Sequence, residues 1–296
     1  HLHLHTQYSI LDGATNIKKL IDKATKDDMK AIAITDHGNM FGAKIFHNLA
    51  TKAGIKPILG CEAYISRTNR HSKSSKEDRS GYHIILLAKN QKGYNNLIKL
   101  ISLSWIEGFY YNPRIDKELL KEYSEGIIAS TACLGGEVPQ HIMKKGIDAT
   151  KEVIKEYHDI FGEDFYLELQ RHESGNPEKD KDVFERQQEV NAELLLLGKE
   201  MGIKCIATND VHFLNAEDSE AHDRLICINT GKDLDDPTRM RYTTQEYFKT
   251  KKEMNGIFSD LPEILANTLE IAEKVEVYPL DRNPVMPEFE IPEEFG

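Results

Sequence analysis

Short apolar runs alternate with segments of helical period along the first two thirds of the chain. The runs fall at residues 1–5, 31–35, 57–65, 83–87, 126–129, 165–169 and 204–208, and the periodic segments between most of them at 17–24, 41–53, 94–106 and 183–201. Runs this short and this apolar suit strands covered on both faces, as in a parallel sheet. Their alternation with helices predicts repeated βαβ units. Seven runs predict an α/β barrel one unit short of the usual eight. Residues 67–81 are polar and basic without apolar period and read as an exposed loop. After Phe213 the strand rhythm stops and helical patterns follow at 219–230, 244–254 and 261–275. Pro279, Pro284, Pro287 and Pro292 then stand among acidic residues, as in a linker. The predicted division is a barrel over 1–213, a helical extension over 214–277 packed on it, and a proline-rich linker over 278–296.

Composition narrows the class. Of 296 residues, 40% are hydrophobic and 29% charged, which is ordinary for a globular protein. No apolar stretch is long enough to span a membrane, and no signal peptide is present. Cys61, Cys133, Cys205 and Cys227 are widely spaced with no CxxC pair, which predicts free thiols in a reducing cytoplasm. The chain opens on His1 instead of Met and is read as part of a longer one. Its net charge of -11 excludes binding of nucleic acid by bulk electrostatics. Local features or neighbouring domains would have to meet a phosphate backbone.

Candidate chemistry recurs at the strand ends. His3 and His5 are two apart on the first run, so both side chains share a face. His1 shares it too, but sits at the chain start. Asp12 follows in a turn-like Leu11-Asp12-Gly13. Asp36-His37 ends the second run, where barrel enzymes place their chemistry. Glu62 interrupts an apolar run, a position costly for a carboxylate unless it is paired or bound to metal. Cys133 follows the fifth run, and Asp210-Val211-His212 ends the seventh, with two ligand types on one face. His83 opens its run instead of closing it, which in a parallel barrel faces it to the wrong end. Singly, each has a plainer reading: Glu62 paired with a lysine, Cys133 as a small core residue, His83 as a helix cap. Together these nine exceed what one ion needs, since zinc usually takes four ligands. They predict two or three ions sharing bridging groups, zinc first, with manganese or iron admitted by the carboxylates.

The segment from His3 to Gly13 resembles the opening motif of the polymerase and histidinol phosphatase (PHP) family. It is most similar to the version at the N-terminus of bacterial DNA polymerase III alpha subunits. The resemblance runs through Ile34-Thr35-Asp36-His37-Gly38-Asn39, Gly54 to Glu62, His83 to Asn90, Tyr111 to Asp116 and Thr208 to His212. It continues into Glu220-Ala221-His222-Asp223 and Thr230-Gly231-Lys232. It implies a distorted (βα)7 barrel with a trinuclear site held by His3, His5, Asp12, His37, Glu62, His83, Cys133, Asp210 and His212, none of which is missing here. It also implies metal-assisted phosphodiester hydrolysis at the 3′ end of primer DNA, with Glu62 and Asp210 holding the ions. A polymerase palm domain would lie beyond Gly296. Arg114 and Arg171 are candidate phosphate contacts, with plain surface arginines as the alternative, and His172 a candidate proton donor. Three ions would add roughly +6 and let an acidic domain accept a phosphate. Two other readings stand beside this one: a phosphatase for a histidinol-phosphate-like substrate, and a non-catalytic platform docking a separate exonuclease subunit. A metal amidohydrolase also carries His-x-His on its first strand, but ordinarily ends with a lone Asp.

Overall fold

The apolar runs become strands because their alternate residues fill two different layers. The computed structural model describes residues 1–281, 284 and 286. Among the described residues seven strands form, β1 (Ala31–Ile34), β2 (Lys56–Ser66), β3 (Gly81–Ala88), β4 (Arg114–Ile115), β5 (Ile127–Ser130), β6 (Phe165–Leu169) and β7 (Cys205–Ala207). They lie in one curled sheet in the order β1-β2-β3-β5-β6-β7, with β4 beside β2. On β1, Ile32 and Ile34 face the helices while Ala33 faces inward, where it meets Ile58, Ile85, Ile128, Tyr166 and Ile206. The result is a mixed α/β fold with helices on the outer face and a thin apolar floor inside.

The expectation of an all-parallel sheet fails at β3. It runs antiparallel to both β2 and β5, while the other pairs are parallel. This resolves the position of His83. Because β3 is reversed, its first residues lie at the end where its neighbours finish, and His83 stands opposite Tyr64 and bridges to Gly136. A reversed strand presents its head where parallel strands present their tails.

Residues 1–5 do not form a regular strand, contrary to the expectation. They bridge the two edges of the sheet instead. Ala33 and Thr35 donate backbone hydrogen bonds to the carbonyls of His1 (2.9 Å) and Leu4 (2.8 Å). On the other side His5 donates to Val211 (2.7 Å) and Val211 to His3 (3.2 Å). The ligand-rich opening segment is thereby held in the middle of the molecule.

Helices form at Ile17–Lys26, Ala43–Lys52, Gln91–Ile106 and Phe184–Met201, close to the predicted segments. Asn16 and Asn90 cap the first and third of these by accepting from the backbone N–H three residues on. The helix predicted over 244–254 begins later, at Lys251–Ile257. A capping box between Thr250 and Glu253 starts it there, and Thr244 has φ +79°, which no helix allows. The residues before it are extended and lie along residues 212–213: His212 donates to the Glu246 carbonyl at 2.8 Å and Phe248 to Phe213 at 3.0 Å. The Pro262–Lys274 helix closes the floor, with Ile271 packed beneath the inner face and Asn267 donating to the Cys205 carbonyl at 2.8 Å.

The loop at 67–81 is exposed for most of its length, as expected. It is nevertheless ordered around buried Asp78, whose carboxylate accepts from Thr68 and Ser72 hydroxyls and from Ser74 and Ser75 backbone N–H groups. The linker read from Pro284, Pro287 and Pro292 falls chiefly outside the described residues. Among the described residues no helix is long and apolar enough to cross a membrane.

Candidate metal centre

Three overlapping groups of ligand atoms converge at the rim where the parallel strands end. They are His5, Asp12, His37 and His212; His3, His5, Glu62 and Asp210; and His37, Glu62 and His83, with the atoms of each group within 4.8 Å of one another. His5, His37 and Glu62 each belong to two groups, so neighbouring positions would share ligands. Cys133 adjoins the third group, its Sγ 3.7 Å from His83 Nδ1 and 3.9 Å from Glu62 Oε1. All nine predicted ligands therefore come together. His1 does not; its Nε2 is 2.8 Å from the Lys249 carbonyl oxygen.

Backbone strain turns several of these side chains inward. Asp210 has φ +42°, Leu11 before Asp12 has φ +63°, and Ala132 before Cys133 has φ +57°. Non-glycine residues rarely hold such values, and they concentrate at functional sites. Gly38, next to His37, has φ +60°, and a Cβ there would come within 2.6 Å of the Pro113 ring.

Glu62 sits at the centre. Its Oε1 lies 2.6 Å from His83 Nδ1, and its Oε2 lies 3.0 Å from His3, 2.9 Å from His5 and 3.5 Å from His37. Burial pushes its carboxyl up, but His37, His3 and His83 together hold it well below the usual carboxylate range. Asp12 and Asp210 are likewise held low against their burial, Asp12 chiefly by His212 and Asp210 chiefly by His3 and His212. The imidazoles answer in kind. Burial opposes charge on His5, yet Asp210 and Glu62 push it up to about 10. His3 is raised by Asp210, Glu168 and Glu62 against the same opposition.

The far ring nitrogens are anchored. His3 Nδ1 is 2.6 Å from Glu168 Oε1, His5 Nδ1 is 2.9 Å from Ser9 Oγ, and His212 Nδ1 is 2.8 Å from the Asp210 carbonyl oxygen. Each ring is fixed with Nε2 aimed into the cluster, the arrangement that orients metal-binding histidines. Glu168 itself accepts from the Ser130 and Thr208 hydroxyls, at 2.5 Å each. Tyr242 closes the rim, its hydroxyl 3.1 Å from both Asp12 Oδ1 and His212 Nε2.

The donor set fits cations better than hydrogen bonds. His5 Nε2, Asp12 Oδ2, His37 Nδ1 and Asp210 Oδ1 are all buried without a hydrogen-bond partner. Unsatisfied buried polar atoms are rare and costly, and here four of them point into one cluster. His5 Nε2 lies close to Glu62 and Asp210 but without hydrogen-bond geometry. Lone pairs converging on a shared point produce that pattern.

Glu168 carries a signal in the sequence. It interrupts an apolar strand as Glu62 does, and the same argument from buried charge finds it. Tyr242 has no such signal, since the sequence pattern from Thr244 on predicts a helix where the extended segment that delivers it lies. Glu168→Gln removes the charge behind His3 and is expected to weaken metal affinity about 10- to 100-fold while leaving the fold intact. Competition with a chromophoric chelator measures this, and an unchanged affinity refutes the orienting role.

The predicted substrate contacts fare differently. Arg114 is fully buried, not on the surface; it donates to the carbonyls of Gly108 (3.0 Å), Arg70 (3.2 Å) and Ser72 (2.8 Å). Arg171 forms a two-pronged ion pair with Asp260, at 2.6 and 2.9 Å. Neither lines the cleft above the cluster, and both are committed to structure. His172 does line that cleft. Its Nε2 is 3.1 Å from the Asn209 carbonyl oxygen and its Nδ1 accepts from Gln187 at 3.0 Å, so both ring nitrogens are occupied. Burial pushes its pKa down. The arginine that does line the cleft, of about 330 Å³, is Arg241.

Curled sheet and histidine–carboxylate rim together define a metal-site domain of the PHP class. Residues 1–172 match the PHP domain family, and the chain belongs to it. Asp210 and His212 lie beyond the matched stretch. Over its whole length the chain is similar to DNA polymerase III subunit alpha. It is 47% identical over 299 residues to that of Borreliella burgdorferi, covering 100% of this chain and 25% of the relative. It is 46% identical to that of Helicobacter pylori strain 26695 (93% and 22%) and 40% identical to that of Thermus aquaticus (99% and 24%). The chain thus spans about a quarter of these relatives' length. A two-domain protein of Bacteroides vulgatus, described as containing a predicted PHP-like metal-dependent phosphoesterase, superposes with a TM-score of 0.43 at 12% identity. That superposition covers 95% of this chain and 71% of the other, and is too loose to bear on the site.

Proposed function

We propose that the centre holds two or three divalent cations and hydrolyses phosphodiesters, as the PHP domain of a bacterial DNA polymerase III alpha subunit. The observation that carries this is the set of four buried ligand atoms without a hydrogen-bond partner within three overlapping groups. The donors are mixed imidazole and carboxylate with one thiol, which favours zinc and admits manganese or iron. Bound there, such ions would polarise phosphoryl oxygens and lower the pKa of water toward neutrality.

The chain's own residues supply the rest. Glu62, with both oxygens engaged, joins two of the three groups, and His5 and His37 join each of these to the third. Glu168 and Ser9 keep His3 and His5 aimed inward. Arg241 and the Tyr242 hydroxyl stand at the cleft, where an incoming phosphate would meet them. The substrate is the 3′ end of DNA and the reaction a proofreading 3′–5′ exonuclease, which suits relatives that are replicative polymerase subunits. On this reading residues 1–213 are a distorted (βα)7 barrel whose ring is completed by residues 1–5. Residues 214–277 extend it, and a linker leads to the polymerase domains.

The test is metal-dependent release of nucleotides from a labelled primer terminus. Asp210→Asn keeps a residue that tolerates positive φ while removing the charge beside His3 and His5. It is expected to lower release more than about 100-fold, with bound metal falling in parallel. An unchanged rate refutes the site assignment. Turnover of histidinol phosphate without release from DNA would make the chain a small-molecule phosphatase.

A further inference from the structure

Beside the metal centre lies a second cavity, of about 350 Å³, that shares Asp12, His37 and Tyr64 with the first. Its outer wall is aromatic. Phe41, Trp105, Phe109 and Tyr111 line it and are 60%, 45%, 45% and 63% exposed. Single exposed apolar residues are ordinary, but contiguous ones mark a binding surface.

The wall is built, not incidental. Trp105 donates its indole N–H to the Gly38 carbonyl at 2.8 Å, which fixes the ring one residue from His37. Phe109 stacks against it with planes 12° apart. Tyr111 holds φ +64°, a conformation large side chains rarely adopt, and keeps its ring exposed. The Arg79 guanidinium lies over that ring, 5.0 Å from its centroid. Arg79 belongs to the ordered basic loop that also exposes Lys73 and Lys76. Among the described residues these three make no ion pair. A chain of net charge -11 therefore carries an unneutralised cation, Arg79, at its aromatic cleft, with Lys73 and Lys76 exposed on the same loop.

Flat exposed rings with a cationic margin are the elements that hold single-stranded nucleic acid: bases stack and the backbone tracks the charge. We propose that this cleft is a stacking platform for unpaired bases of a DNA strand whose terminal phosphodiester reaches the metal centre. The proposal rests on the reading of the centre as a nuclease and assigns where the strand lies. Continuity with the ligand cluster through Asp12 and His37 favours a nucleic-acid strand over a protein partner. Arg79 supplies positive charge at the edge of the cleft.

Binding is measured with chelator present, so that hydrolysis does not enter. The probes are a fluorescein-labelled oligothymidylate of about ten residues, within the usual site size, and an abasic oligomer of the same length. The chain is expected to bind the first about tenfold or more tightly than the second, since each stacked base contributes severalfold or more. Phe109→Ala with Tyr111→Ala should bring thymidylate binding down to the abasic level and leave abasic binding unchanged. Lys73→Glu with Lys76→Glu should weaken both. Trp105 is the single tryptophan, so its fluorescence in the unaltered chain reports stacking even where a variant folds poorly. Quenching by thymidylate and not by the abasic strand supports the proposal. Equal binding of the two strands, no binding of either, or an unquenched Trp105 overturns it. A chain that stacks thymidylate yet never hydrolyses a primer overturns only the nuclease reading.

Discussion

Glu62→Gln is expected to abolish metal-dependent hydrolysis, with a loss greater than about 100-fold. That figure is the upper end of what removing a group behind a ligand produces, and Glu62 stands among the ligands themselves. Its two oxygens face four imidazoles, His3, His5, His37 and His83, at 2.6 to 3.5 Å. Glutamine has the same shape but presents one oxygen and one N–H donor. An N–H aimed at the cluster repels a cation, so two of the three ligand groups lose a member at once. The metal-free protein is affected as well. After Asp210, this carboxylate also raises the pKa of His3 and His5, and breaking a buried ion pair on one side destabilises by about 3–5 kcal/mol. Metal content by elemental analysis, hydrolysis rate and melting temperature measured together check the prediction. Wild-type metal stoichiometry and rate in the variant would remove Glu62 from the centre.

Removal of the cations is expected to eliminate hydrolysis and to change how stability depends on pH. In the metal-free protein His5 titrates at about 10 against an ordinary 6.5. A raised folded-state pKa contributes stability that is fully present below 6.5 and is lost as pH rises through about 10. Asp12, Glu62 and Asp210 are depressed below ordinary values of 3.8, 4.5 and 3.8. Their contribution is present above those values and is lost as pH falls below them. The cluster alone therefore makes the chelated protein most stable between about pH 4.5 and 6.5. Cations replace the protons on His3 and His5, so loading releases protons near neutrality and weakens as pH falls. The melting-temperature difference between loaded and chelated protein should widen from about pH 6 to pH 9. Parallel curves, or loading without proton release, would contradict the assignment of charge.

Much of this site could be read from residue order. His3 and His5 share a face by strand period alone, and Glu62 announces itself as a charge in an apolar run. Asp210 and His212 repeat the spacing at the last run. Local pattern suffices for such residues because burial of a carboxylate or imidazole in an apolar strand needs a partner, whatever the fold. The same logic, applied to Phe165–Leu169, would have added Glu168.

His83, the two candidate phosphate contacts and the candidate proton donor cannot be settled that way. Whether His83 reaches the rim depends on the direction of β3, and an apolar run reads the same in either direction. By sequence Arg114 and Arg171 are candidate phosphate contacts in loops, with plain surface arginines as the alternative. Only packing shows that one is sealed under backbone carbonyls and the other is locked to Asp260 on a distant segment. Packing likewise decides the surroundings of His172, whose ring nitrogens meet the Asn209 carbonyl and the Gln187 amide. The amino-acid sequence by itself determined the strand rhythm and the ligand types at the strand ends, since both follow from local period and the cost of burying charge. The tertiary structure alone decided strand direction, which nitrogens stay free, and the meeting of Trp105, Phe109 and Tyr111 with Asp12 and His37. Those are contacts between segments far apart in the chain, and no local preference encodes them.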